Sequence, residues 1–197
     1  NIYGGANACL IWNTFARRGL GLSAVQGSTD DRTDGTEAFD VPFPPVSLCM
    51  ADFTIQLDAN GEASIDVSDI DNGSTVSCEP ISLSISQSDF TCADIGPNVV
   101  TLTVSDSFGN EATCTTTVTV EDNLAPVISC IADDNISTDA GFCTYTIQGT
   151  EYDATFTDNC PSGSITNDLN NTDSIAGEEL EFGETTVIWT VEDGNGQ

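Results

Sequence analysis

The sequence predicts a mostly β chain of tandem immunoglobulin-like β-sandwich modules, preceded by one α-helix. Three observations carry that prediction. First, a segment is repeated: Val104-Ser105-Asp106-Ser107-Phe108-Gly109-Asn110 returns as Val191-Glu192-Asp193-Gly194-Asn195-Gly196-Gln197. Upstream, Asp71-Asn72 returns as Asp158-Asn159, and Cys49 matches Cys130. Second, short runs alternate apolar and polar residues with period two, the pattern of strands with one buried face. Third, cysteines are frequent without CxxC spacing, which reads as a disulfide framework rather than a metal or redox site. A repeat of this length built from short β-branched strands is the mark of small tandem sandwiches.

The elements follow in order. Cys9, Leu10, Trp12, Phe15 and Ala16 recur at helical spacing. Asn7 is a natural N-cap, Arg17 and Arg18 sit at the end where the helix dipole favours cations, and Gly19 is a natural stop. Residues 23–41 are polar and acidic without periodicity, and Asp30, Asp31 and Asp34 read as a solvated loop. Pro42, Pro44 and Pro45 form a stiff linker. Phe53, Ile55 and Leu57 then alternate, Asp58-Ala59-Asn60-Gly61 turns the chain, and Ala63, Ile65 and Val67 alternate again. Further strands are expected at Ile81–Ile85, Val100–Val104 and Ala112–Val120. Asp122 to Pro126 is a hinge. The second copy supplies strands at Val127-Ile128, Thr144–Ile147 and Thr185–Val191, and residues 162–177 read as a long polar loop. The resulting division is 1–45 (helix and linker), 46–122 (first module) and 123–197 (second module, expected to lack its last strand).

Composition excludes several functions. The chain has 197 residues, no His, three Lys plus Arg residues against 32 Asp plus Glu, and a formal charge of −29. Its only cations are Arg17, Arg18 and Arg32, so nucleic acid is a poor partner. Chemistry that needs a His base or a Lys Schiff base has no residue to use here. The acidity fits a solvated surface, or divalent cation binding by clustered carboxylates. No apolar run is long enough to span a membrane.

Several motifs together carry a family resemblance. Asp122-Asn123-Leu124-Ala125-Pro126-Val127-Ile128-Ser129-Cys130, Gly141-Phe142-Cys143, Thr157-Asp158-Asn159-Cys160, Phe182-Gly183-Glu184-Thr185-Thr186-Val187 and Asp193-Gly194-Asn195-Gly196 resemble a HYR (hyalin repeat) module. That family is an extracellular immunoglobulin-like fold associated with adhesion. Residues 46–122 resemble the variant found in secreted and surface proteins of Bacteroidetes. The N-terminal run from Gly4 to Gly21, continued by Asp31-Arg32-Thr33-Asp34-Gly35-Thr36-Glu37, resembles the last helix of fungalysin-like zinc metallopeptidases. The HExxH zinc helix of that family is absent from this sequence, so no catalytic residue is carried over.

The resemblances imply a secreted or cell-surface protein, with export by type 9 secretion. The expected role is a non-catalytic tail that spaces or adheres. Its partners would be the rest of the parent chain (a peptidase-like domain and further modules) and a surface or matrix ligand. Two alternatives stand beside it: a C-terminal part of a secreted metallopeptidase whose modules aid substrate binding, and a subunit of an extracellular filament.

For the cysteines, the strand order suggests Cys49–Cys114 and Cys78–Cys92, although four cysteines allow three connectivities. By analogy Cys143 would pair with Cys160, leaving Cys9 and Cys130 unpaired. Each such bridge is worth about 2–4 kcal/mol. For metal, the Glu121-Asp122-Asn123 linker resembles the calcium-binding linkers of cadherin-like repeats. The candidate ligands are Asp71, Asp106, Glu121, Asp122 and Asn123, with turn formation as the alternative role for each. Trp189 reads as core, and Glu178, Glu179, Glu181 and Glu184 as surface charge.

Overall fold

The structure is a computed structural model that describes residues 7–26, 35–40 and 44–194. The expected loop at Asp30, Asp31 and Asp34, the linker residue Pro42 and the last repeat residues 195–197 lie outside the described residues. The fold is mostly β with an N-terminal helix, as the alternating pattern predicts.

The chain packs as two units. The first comprises residues 1–54, 64–89 and 97–119, and the second 55–63, 90–96 and 120–197. The N-terminal helix thus belongs to the same unit as most of the first repeat.

In the first unit, α1 spans Ala8–Ala16, with Asn7 at the N-cap position but without a side-chain capping bond. Its carbonyl instead accepts from the Ile11 amide at 3.0 Å. Gly19, at φ +76°, ends the helix in the left-handed conformation its position requires. Ala16 is buried, whereas Leu10 and Phe15 of the expected apolar face are exposed. What fixes the helix covalently is Cys9, which is bonded to Cys78.

Strands β1 (Phe53–Gln56), β3 (Ser82–Ile85), β5 (Gly96–Ser105) and β6 (Glu111–Glu121) form one four-stranded sheet in the order β1-β6-β5-β3. β3 and β5 run antiparallel, with Leu83 opposite Val104 and Ile85 opposite Leu102. Strict alternation aims Val100, Leu102 and Val104 of β5 and Val118 of β6 into the core, each fully buried. Thr116 joins them because its hydroxyl donates to the Met50 carbonyl at 2.9 Å. Cys49 and Cys114 are bonded as expected from the strand order.

Two elements depart from the alternation. β2 (Glu62–Ser64) pairs with β4 (Asp89–Thr91), but the apparent strand through Ile65 and Val67 does not continue. Asp66 breaks it. Its carboxylate accepts from the Ser68 amide at 2.7 Å, and the Asp69 carboxylate accepts from the Asp66 amide at 2.8 Å. This capping box starts the short helix α2 (Val67–Ile70), which buries Ile70 completely.

The Ser68 hydroxyl and amide hold the Asp66 carboxyl below the usual carboxylate range. The Glu62 and Asn60 amides do the same for Asp58. A carboxyl depressed in the folded state stabilises the fold above its unfolded pKa of about 3.9, and loses that contribution as pH falls through the lower folded value. The contribution of these two carboxyls to the melting temperature is therefore expected to be constant from neutrality down to about pH 5 and to be lost below about pH 4. Asp66→Asn should melt lower at neutral pH and show a shallower acid decline. Superimposable pH profiles for the two proteins would contradict this.

In the second unit, three antiparallel pairs are formed: β7 (Val127–Ser129) with β9 (Thr155–Thr157), β8 (Thr144–Thr146) with β11 (Glu179–Glu181), and β10 (Ser164–Asn167) with β12 (Trp189–Glu192). β10 lies inside the stretch expected to be loop. Its register is set by Ile165 opposite Val191, and by Asn167, a buried turn hub. The Asn167 Oδ1 accepts from the Leu169 and Asn170 amides at 2.9 and 3.0 Å, and its Nδ2 donates to the Thr172 carbonyl at 2.7 Å. Leu57, Phe90, Val120, Ile147, Ala154 and Ile175 are the buried apolar residues here, with Cys160. Trp189 is half-buried on β12.

The disulfides correct two expected pairings. Cys78 bonds to Cys9 rather than to Cys92, and Cys160 bonds to Cys92 rather than to Cys143. The Cα separations are 5.5 and 5.6 Å, inside the range oxidised geometry allows. Cys9 is therefore paired, against expectation. Cys130 and Cys143 are exposed and unbonded. The reason lies in β3 and β4, the two strands between Cys78 and Cys92, which do not form a hairpin: β3 pairs with β5 and β4 with β2.

Candidate metal centre

Among the described residues, a cluster of three carboxylates lies in the second unit, where three strands end. Asp122 is the first residue beyond β6, Asp158 the first beyond β9 and Asp193 the first beyond β12. A carboxylate oxygen from each lies within 4.8 Å of the others. Asp122 and Asp193 are only 4% and 7% exposed, and Asp158 is half-buried.

The pocket is built on hydrogen bonds that fix one side of it. Asp122 Oδ1 accepts from the Leu124 amide at 3.2 Å and from Asn159 Nδ2 at 3.0 Å. The same Asn159 amide donates to the Asp58 carbonyl at 3.1 Å. Asp122 Oδ2, both carboxylate oxygens of Asp158 and Asn159 Oδ1 are buried without a hydrogen-bond partner. Cys160, next in sequence, is tied to Cys92. Asp158 and Asn159 are thus held between a strand end and a disulfide.

Three carboxylates at this spacing repel one another, and burial strengthens that repulsion. The pocket supplies hard, anionic oxygens with no nitrogen or thiolate among them. It can hold a hard cation.

Of the residues expected from sequence to bind metal, Asp122 alone joins this cluster among the described residues. Asp71 lies in the first unit as the C-cap of α2, where its Oδ1 accepts from the Ser74 amide at 2.9 Å. Asp106, also in the first unit, closes a turn. Its Oδ1 accepts from the Phe108 and Asn110 amides, each at 2.9 Å, and its Oδ2 from Asn110 Nδ2 at 2.7 Å. Glu121 Oε2 accepts from Gln56 Nε2 at 2.8 Å, and Asn123 Nδ2 donates to Gln56 Oε1 at 2.6 Å. These four fill turn and strand-edge roles.

Asp158, Asn159 and Asp193 were missed as ligands, yet the repeat marks them. Asp158 and Asp193 are the second-copy equivalents of Asp71 and Asp106. The linker carboxylate Asp122 leads into the second copy, so the ligands it needs come from that copy.

Fold and site together define a mostly β chain of two units with a carboxylate pocket at converging strand ends in the second. No protein-family model and no curated protein matches the chain, so the hyalin-repeat and fungalysin resemblances rest on the residues quoted above. Among solved structures, the chain is similar to extracellular cadherin domains 1–4 of Protocadherin Gamma B7. The TM-score is 0.34 and the identity 14%, over 87% of this chain and 52% of that one. The chain thus spans about half the length of that structure. No helix among the described residues is long and apolar enough to cross a membrane.

Proposed function

We propose that the chain is a non-catalytic, extracellular stretch of immunoglobulin-like modules that spaces and attaches a larger secreted or surface protein. The HYR-like motifs support the extracellular and adhesive part of this reading. The observation that carries it is the arrangement of the disulfides. They join Cys9 to Cys78, Cys49 to Cys114 and Cys92 to Cys160. These spans overlap in sequence, so a continuous covalent ladder runs from Cys9 to Cys160. Tension applied to the ends of the chain meets covalent bonds rather than strand pairs alone. Such bonds persist in an oxidising compartment, which supports work outside the cytosol.

A single-molecule tether on the two chain ends tests the reading. Reduced, the chain should extend to its full contour at about 3.4 Å per residue. Oxidised, it should stop at roughly a third of that length, because the ladder removes the enclosed loops from the force path. A peptide library incubated with the purified chain should remain uncut. Equal extension with and without reductant would sink the spacer role, and peptide cleavage would sink the non-catalytic one.

A further inference from the structure

We infer that Asp122, Asp158 and Asp193 form a calcium site, with the Asn159 side-chain oxygen beside them as a neutral donor. The inference stands apart from the spacer reading, since a cation can bind whether or not the chain carries tension or adheres to anything.

The first support is geometric. Calcium holds oxygens at about 2.3–2.6 Å, so ligands on opposite sides of one ion lie about 4.6–5.2 Å apart. The three carboxylate oxygens fall within 4.8 Å of one another. One ion at their centre would therefore reach all three.

The second support is independent of the clustering. Asp122 is 4% exposed, yet its Oδ2 has no hydrogen-bond partner. The other oxygen of the same carboxylate is fully used, by the Leu124 amide and Asn159 Nδ2. A turn-forming Asp is satisfied by its turn, as Asp106 is in the first repeat. Asp122 instead spends one oxygen on the turn and leaves the other buried and unbonded. Asp158 goes further, with both oxygens buried and neither bonded. Buried polar oxygens left in this state are costly unless a ligand completes them.

The chemistry selects the ion. All donors are hard oxygens, the chain has no His, and the nearby cysteine Cys160 is in a disulfide, which excludes a zinc-type ligand set. Magnesium demands a near-ideal octahedron and gives up its waters reluctantly, whereas calcium accepts irregular carboxylate sets. Chain cations are not available as a substitute: the sequence has no Lys and only three Arg, at positions 17, 18 and 32.

The placement gives the ion a structural consequence. It would join the ends of β6, β9 and β12, which are far apart in sequence, next to the Cys92–Cys160 bond.

The test uses the oxidised chain, its Asp158→Asn variant and the double variant Asp71→Asn with Asp106→Asn. Melting is followed in chelator, in millimolar magnesium and in millimolar calcium, and binding by equilibrium dialysis with radioactive calcium. The parent should bind about one calcium per chain at this site, and its melting temperature should rise with calcium well beyond any rise in magnesium. Asp158→Asn removes charge without removing a hydrogen bond. It should melt at or above the parent in chelator, because repulsion is relieved, and below the parent in calcium. The first-repeat double variant should keep the calcium-dependent rise. That crossing of melting temperatures separates a ligand from a residue needed only for folding. Three results would overturn the site: no calcium-dependent rise in the parent, a full rise in Asp158→Asn, or loss of the rise in the first-repeat double variant alone.

Discussion

Replacing Cys92 and Cys160 together by Ser is expected to destabilise the second unit by about 4 kcal/mol. The bond closes a separation of 68 residues. In the chain-entropy account, a loop of that length restricts the unfolded chain almost as much as one of 100 residues. The loss should be larger than transfer of the two sulfurs to solvent would suggest, since Cys160 is 1% exposed and part of the core. Urea denaturation of the double variant, monitored at Trp189, checks the size. A change below about 1 kcal/mol would mean that the unfolded state is already restrained by other means. Peptide mapping without reductant provides a direct check on connectivity. It should recover Cys92 joined to Cys160 and Cys9 joined to Cys78, with Cys130 and Cys143 alkylated.

That bond shows where sequence reasoning reaches its limit. The strands of β5 and β6 are legible because period-two alternation reports directly which face is buried, and the structure buries Val100, Leu102, Val104 and Val118 on that face. The Cys49–Cys114 bond is legible because Cys114 lies on β6 and Cys49 shortly precedes β1, which neighbours β6 in the sheet. Cys78 and Cys92 are close in sequence, but β3 between them joins β5 and β4 joins β2, so the two cysteines are not brought together. Nothing local in the sequence points from Cys78 to Cys9, since that contact depends on where α1 packs. β10 was hidden for a different reason. Its run Ser164-Ile165-Thr166-Asn167 has one apolar residue, and its register comes from Asn167 hydrogen bonds rather than from a hydrophobic stripe.

The carboxylate site was half legible. Oxygen-only donors and a charge of −29 point to a hard cation, and the linker position of Asp122 points to where repeats meet. Choosing Asp71 and Asp106 as its companions assumed that the first copy serves the linker that follows it. The fold uses the second copy instead, because β9 and β12 end beside Asp122 while Asp71 and Asp106 are occupied by turns of the first unit.

Gly61→Ala is expected to cost about 2–5 kcal/mol, from two separable causes. Gly61 has φ +74°, where a side chain costs about 1–2 kcal/mol by itself. A Cβ there would also lie 2.6 Å from Cys92 Sγ and 2.7 Å from the Asn159 carbonyl oxygen. Neither can step aside cheaply: the sulfur is in a disulfide and the oxygen is backbone. Gly177→Ala isolates the first cause. Gly177 lies in the same unit at φ +81°, and a Cβ there would meet nothing within 4 Å. Its substitution should therefore cost only about 1–2 kcal/mol. The difference between the two variants measures the clash against the Asn159 segment, which also carries the candidate ligand Asp158. If calcium binds there, Gly61→Ala should shrink the calcium-dependent rise in melting temperature, while Gly177→Ala should preserve it. Equal destabilisation by the two substitutions would show that the close approach of Gly61 to Cys92 and Asn159 carries no energy of its own.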